Sequence, residues 1–213
     1  MKTTTAAVDP KPYHHGDLRR ALMDSASAIL ERDGPNALSL RAVAREAGVS
    51  PAAPYHHFKD KDELLSAIAR EGFARLSAAL VDAAGGDCAG ECGPETKMSD
   101  LGVAYVKFAQ SHPALYRVMY DCARAEDALP EKTDSDHDGF QILKDALTKA
   151  GGNRVSETDI HLASIASWCA AHGLAEMSSF VQFRPLKAEL GGEDAFLRGV
   201  LDHLGTFSRL KTS

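Results

Sequence analysis

The stretch from Leu38 to Leu65, LSLRAVAREAGVSPAAPYHHFKDKDELL, constrains the chain more than any other. Leu40, Val43, Ala44 and Ala47 recur at helical spacing and make one apolar face. Gly48 follows that face directly, where a helix end favours a residue that tolerates positive φ. Ser50 then stands where an N-cap belongs, with Pro51 at the first helical position, where a missing N–H costs nothing. Start and stop signals therefore agree with the periodicity. They predict two short helices joined by a tight turn at Gly48-Val49-Ser50, and a further helix opening after Lys59. This is the frame of a helix-turn-helix, whose second helix, here Pro51 to Phe58, is shaped to enter a DNA major groove.

Pro54 complicates that second helix. It offers no N–H to the Ser50 carbonyl and crowds it in a regular α turn. The expectation is a tightened or loosened turn that bends at Pro54 and still presents Tyr55.

The segment from about Tyr13 to Leu80 resembles the DNA-binding domain of the TetR family of transcriptional regulators. The residues that carry the resemblance are the AGVS turn at Ala47 to Ser50, the run Tyr55-His56-His57-Phe58, and Lys59-Asp60-Lys61-Asp62-Glu63-Leu64-Leu65. Pro54 departs from the pattern, which usually has an aliphatic residue there. The run Ala52-Ala53-Pro54-Tyr55, with Trp168 and His172-Gly173 further on, is similar to a subset of the family with a Trp…His-Gly motif in its C-terminal domain. The resemblance implies an all-α homodimer: an N-terminal three-helix helix-turn-helix domain followed by a larger helical bundle that binds a ligand. It also implies that Tyr55 touches a DNA phosphate.

The expected organisation is a disordered polar tail over residues 1–12, a helix-turn-helix domain over 13–62, and a helical ligand-binding and dimerisation domain over 63–213. The first helix runs from about Asp17 to Arg32 with Leu18, Leu22, Ala26 and Ile29 as its buried stripe, and Asp33-Gly34-Pro35-Asn36 ends it. A longer helix from about Asp62 continues past the domain edge. The second domain reads as further helices, among them Phe140 to Ala150, a long one from Glu157 to Phe183 that stops before Pro185, and a last one after Gly191-Gly192. No stretch shows strand periodicity.

The net charge of −6 does not exclude a nucleic-acid partner, because its distribution is uneven. Residues 1–62 hold nine Lys/Arg against eight Asp/Glu, a balance of +1; the remainder holds fifteen against twenty-two, a balance of −7. No apolar run approaches the ~20 residues of a membrane span, and no secretory signal opens the chain, so a cytoplasmic protein with no membrane partner is expected.

On the DNA side, Ala52 and Ala53 let backbone approach the groove and can touch a thymine methyl, with Tyr55 and His56 as polar contacts beside them. Ser39, Arg41, Ser50, Pro51, Lys59 and Lys61 lie along the same face, where cations and helix N-termini meet phosphates. Phe58 is expected in the core. Tyr13-His14-His15-Gly16 reads as an arm or as a partly ordered cap. In the second domain Tyr105, Phe108, Tyr116, Met119, Tyr120, Trp168 and His172 are candidates to line a ligand pocket, His172 equally as a packed core histidine. The glycine-rich segment Ala84 to Ser99 is a candidate gate. The small residues around Trp168 suggest close helix approach, and with the last helix a two-fold seam, for which Ala170 and Leu201 are candidates.

Other chemistries find little support. The paired His14-His15 and His56-His57 point about 100° apart on a helix and cannot readily chelate one ion. Cys88 and Cys92 lack a second ligand pair for zinc. Asp134-Ser135-Asp136-His137-Asp138-Gly139 opens like a calcium loop but has Asp145 at the twelfth position instead of Glu. There is no GxSxG elbow, so no enzyme, cofactor or metal is expected. The leading expectation is a homodimeric repressor that binds double-stranded DNA and is released by a small, mainly apolar effector. Two alternatives stay open: a DNA-binding protein without an effector, and a helical small-molecule binder that does not bind DNA.

Overall fold

The computed structural model describes residues 15–85, 98–123, 139–151 and 155–209. The polar tail, Tyr13 and His14, residues 86–97 of the glycine-rich segment with Cys88 and Cys92, and the acidic run 134–138 lie outside the described residues. All regular elements among the described residues are helical. They form two compact units, one ending at Ala67 and the other starting at Ile68.

The first unit is built from α1 (His15–Asp33), α2 (Leu40–Glu46) and the opening of α3 (Lys61–Ala83). Leu22, Met23, Ala26, Ile29 and Leu30 form the buried stripe of α1. Gly34, at φ 78°, ends that helix with its N–H on the Leu30 carbonyl. Ser39 caps α2, its hydroxyl accepting from the Ala42 N–H at 3.1 Å. The far end closes on Gly48: the Gly48 N–H donates to the Arg45 carbonyl and the Val49 N–H to the Ala44 carbonyl. These crossed bonds need a left-handed residue between them, and Gly48 supplies it at φ 68°. Arg32 grips both carboxylate oxygens of Glu46 at 3.0 and 3.1 Å, tying the end of α1 to the end of α2. The pair is exposed, so it fixes geometry more than it adds stability.

The recognition helix expected from Pro51 to Phe58, with its irregular turn at Pro54, is shorter than expected: its helical part is a 3₁₀ turn over Ala53–His56. Ser50 contributes its carbonyl to the Ala53 N–H, and no side-chain cap is made at this turn. Tyr55 N–H donates to Ala52 and His57 N–H to Pro54, the three-residue spacing of a tight helix. The cause is Pro54. It has no N–H to give the Ser50 carbonyl, as an α turn would need, and the irregular turn expected there is what forms. The third helix then starts on a reciprocal cap: Asp60 accepts from the Glu63 N–H at 2.9 Å, and Glu63 accepts from the Lys59 N–H at 2.7 Å.

The second unit holds the rest of α3 with α4 (Met98–Ser111), α5 (Pro113–Ala123), α6 (Gly139–Gly151), α7 (Glu157–Met177), α8 (Arg184–Leu190) and α9 (Glu193–Arg209). The centre is α4, which packs on α5, α6, α7 and α9. Val103 and Val106 of α4 meet Leu174, Phe196 and Leu197 in one cluster. Pro113 separates α4 from α5 by taking the first position of the new helix.

Two features depart from the expected helices. The long helix ends at Met177, not at Phe183, and α8 is an additional element. Ser178 is the stopping point. It is fully buried, its hydroxyl accepts from Gln110 Nε2 at 2.9 Å, and its carbonyl accepts from Lys187 Nζ at 2.5 Å. The chain turns extended at Phe180 and restarts with Pro185 in the first turn of α8, so the proline opens a helix rather than ending one.

The turn at Gly48 provides a direct check. A Cβ there would meet nothing within 4 Å, so any cost of Gly48→Ala is that of holding a left-handed backbone. Gly48→Ala is expected to lower stability by about 1–2 kcal/mol in denaturant titration, and Gly48→Asn by less. Equal stability of all three proteins would contradict the observed turn.

Candidate nucleic-acid face and ligand cavity

In the first unit, the 3₁₀ geometry sorts the side chains in threes. Pro54 is buried and His57 half-buried on the inner side, with Phe58 only 1% exposed under the Arg19 guanidinium. Ala52 and Tyr55, three apart, face out. Tyr55 is 53% exposed, unusual for an aromatic residue beside so well-packed a turn. Of the other candidates, Ser39, Arg41, Ser50, Pro51, His56 and Lys59 are exposed and Ala53 is half-buried. One named cation is partly committed: Lys61 donates to the Pro35 carbonyl at 2.9 Å. Arg41 and Lys59 are the exposed cations of this set.

The second unit holds a partly open cavity of about 390 Å³. Its walls come from five helices. Phe73, Leu76 and Leu80 of α3 face Leu101, Gly102 and Tyr105 of α4; Ile142, Leu143 and Leu147 come from α6. The small residues of α7, Ala163, Ala166, Ser167, Ala170 and Ala171, make one side with Trp168, and Leu201 and Leu204 of α9 close another. Gly102 is needed where it is: a Cβ there would sit 2.7 Å from a methyl of Leu201. Among the described residues the lining includes no Asp, Glu, Lys, Arg or His. Its polar members are serines, Tyr105 and Trp168.

Of the seven aromatic, Met and His candidates, Tyr105 and Trp168 line the cavity. Phe108 packs edge-on against His112, and Met119 is fully buried against the backbone of Gly72. Tyr116, Tyr120 and His172 converge on Tyr105 instead. The Tyr105 hydroxyl lies 2.6 Å from that of Tyr120, 3.2 Å from that of Tyr116 and 3.1 Å from His172 Nδ1. The Tyr116 hydroxyl lies 2.6 Å from His172 Nδ1. Ring packing continues the cluster, with Tyr120 edge-on to His172 at 4.7 Å and to Phe73 at 5.7 Å. Ala170 and Leu201, candidates for a subunit seam, are cavity wall. The aliphatic residues of α3, α6 and α9 in that wall carry no sequence signal beyond an ordinary apolar face.

Burial raises the pKa of both Tyr105 and Tyr116 well above the ordinary phenol value. The sign follows from which form is favoured. The folded protein holds the neutral phenols, so their contribution to stability is complete below the unfolded value of about 10 and is lost as pH rises beyond it. Alkaline absorbance titration should therefore show two of the five tyrosines resisting ionisation until the protein unfolds. All five titrating together near pH ~10 in folded protein would contradict the buried cluster.

Comparison with known proteins places both units. Residues 22–68 match the family of bacterial regulatory proteins, tetR family, and residues 98–204 match the tetracyclin repressor-like C-terminal domain. A protein of unknown function from Rhodococcus sp. RHA1 is 34% identical, covers 94% of this chain and 98% of its own, and superposes with a TM-score of 0.73. TetR from Acinetobacter baumannii AYE, at 18% identity, covers 95% of this chain and 100% of its own with a TM-score of 0.61, which speaks to fold alone. Among curated proteins, the HTH-type transcriptional regulator BetI of Rhizobium meliloti is 40% identical over 58 residues, 27% of this chain and 29% of its own. The nicotine-responsive repressor HdnoR of Paenarthrobacter nicotinovorans is 43% identical over 60 residues, 28% of this chain and 31% of its own. The chain thus spans about a third of the length of the curated relatives it matches. With one family model over each unit and a full-length relative at 34% identity, the chain belongs to the TetR family of bacterial regulatory proteins.

Proposed function

We propose that this protein is a transcriptional repressor that binds double-stranded DNA as a homodimer and is released by a small, neutral, mainly apolar molecule. The observation that carries the reading is the cavity of about 390 Å³, without a charged side chain among its described lining residues, in the second unit of a chain whose first unit is a helix-turn-helix. Bundle cores without a ligand role are packed close to crystal density, with few voids larger than a water molecule. At ~30 Å³ per water, this space holds roughly a dozen waters, so it suits an effector of that order in non-hydrogen atoms. The alternative of a DNA-binding protein without an effector has no comparable observation in its favour. We place its action in the cytoplasm, where the DNA is; no described helix is long and apolar enough to cross a membrane.

In this reading the domains divide near residues 62–68, and Tyr55, His56, Ala52 and Ala53 meet the groove. Ser39, Arg41, Ser50, Pro51, Lys59 and Lys61 meet the phosphates. The helix α3 starts in the first unit, and its later residues wall the cavity. An effector must still bind the two conformations with different affinity, or it shifts nothing.

Support for the dimer comes from α7. Leu162, Ile165 and Cys169 are exposed along one side of it, Leu162 by 60%, and Leu204 is exposed on α9. Such a stripe is self-complementary in an isologous pair.

Three measurements test the reading. Tyr55→Phe with Lys59→Ala should weaken binding to duplexes of any sequence and reduce the salt slope by about 1 for each phosphate that is no longer neutralised. An unchanged slope would remove this face from the DNA interface. Leu162→Glu should give a monomeric mass at micromolar concentration where the wild type gives a dimer; a monomeric wild type would end the dimer proposal. A molecule that raises thermal stability should lower DNA affinity by the linked amount. Stabilisation with no effect on DNA binding would sink effector control while leaving ligand binding intact.

A further inference from the structure

The cavity is apolar almost throughout, yet one side chain on its wall belongs to a polar network that reaches no other part of the wall. Tyr105 lines the cavity, whereas its partners Tyr116, Tyr120 and His172 do not. Resting on the reading of this space as a ligand site, we propose that Tyr105 is its polar anchor, donating a hydrogen bond to an uncharged acceptor, such as a carbonyl or ether oxygen, on an otherwise apolar ligand.

Protons and lone pairs in the cluster can be counted. A neutral imidazole has one acceptor nitrogen. At 2.6 Å, Tyr116 is the natural donor to His172 Nδ1 and occupies its lone pair. The short 2.6 Å approach of Tyr105 to Tyr120 takes one proton between them. With Tyr120 as the donor across that bond, one lone pair of Tyr105 is filled and its own proton must go elsewhere. The acceptors left to it are Tyr116 at 3.2 Å and the already occupied His172 Nδ1 at 3.1 Å, both long for a hydroxyl donor. A ligand oxygen at ordinary O–H···O distance would be the better partner. Burial keeps Tyr105 protonated, so the proton is there to give.

The serine hydroxyls of the wall compete poorly, because on a helix they can satisfy themselves on the carbonyl one turn back. Among the described residues no charged group lines the wall, so there an anion or cation would meet no counter-charge. The ligand class is therefore neutral, mostly hydrocarbon, with one acceptor placed to reach Tyr105. Tyr116, Tyr120 and His172 are positioning residues that act by filling the competing sites around that proton.

The test compares two probes of nearly equal shape, benzophenone, which carries a carbonyl acceptor, and diphenylmethane, which carries none. Calorimetric titration of the full-length protein should show benzophenone binding about fivefold tighter to the wild type, in line with one net hydrogen bond. Tyr105→Phe should abolish that preference while leaving diphenylmethane affinity within about twofold, which also shows that the variant folds. As a measurement that needs no variant, the infrared carbonyl stretch of bound ¹³C-benzophenone should move to lower frequency than in hexane. Equal binding of the two probes to the wild type, a preference that survives in Tyr105→Phe, or an unshifted carbonyl band would each overturn the anchor while leaving the ligand site standing. Binding of neither probe would instead overturn the ligand-site reading, and this inference with it.

Discussion

The burial of α4 on almost every side is the constraint from which the second unit follows. Leu101, Val103, Tyr105, Val106, Phe108 and Ala109 are all buried, along with Ser99 and Gly102, so only a narrow outward stripe at Asp100, Ala104, Lys107 and Ser111 is left. A helix of that kind must be surrounded. Its neighbours α5, α6, α7 and α9 are each apolar on one side and close around it. Glycine at 102 lets Leu201 approach the backbone. At its ends the polar positions make exposed ties to α9, Arg198 with Asp100 and Lys107 with Asp194. These ties are solvent-screened and set register more than stability. The same arrangement creates the cavity. Where α7 offers alanines and serines opposite α4, instead of leucines, the layer between them is left unfilled.

Legibility from sequence divides along the range of the interactions involved. The helix-turn-helix is readable because each of its signals acts within a few residues: Ser39 on Ala42, Gly48 between Arg45 and Val49, Asp60 on Glu63. Even the distortion at Pro54 can be expected, since a missing N–H is a local fact. The end of α7 is not readable, because Ser178 stops that helix only with Gln110 and Lys187 brought from other elements. Pro185 misleads for a related reason. A proline fits either after one helix or in the first turn of the next, and only tertiary context decides. The candidate aromatics show the limit most clearly. Tyr105, Tyr116, Tyr120 and His172 look alike as residues; which of them faces the cavity depends on the rotation of α4, α5 and α7 about their axes, which no periodicity reports.

The sorting of those four residues bears on how a site of this kind can be selective at all. An apolar cavity discriminates weakly between hydrocarbons, because one methylene is worth only about 1–3 kcal/mol. Discrimination grows when a buried polar group is left without its best partner by the wrong ligand. In a cavity lined mainly by aliphatic side chains, that leverage must come from few atoms. Here the hydroxyl of Tyr105 is placed to supply it because its neighbours are arranged first: Tyr116 on His172 and Tyr120 on Tyr105, each at 2.6 Å. A lone tyrosine on the same wall could turn its hydroxyl toward any nearby carbonyl and would respond little to the ligand. Held within this network, it has a fixed direction and a partner preference. The polar cluster, although it lies outside the wall, is thus the part of the second unit that can convert a general affinity for apolar molecules into a choice among them.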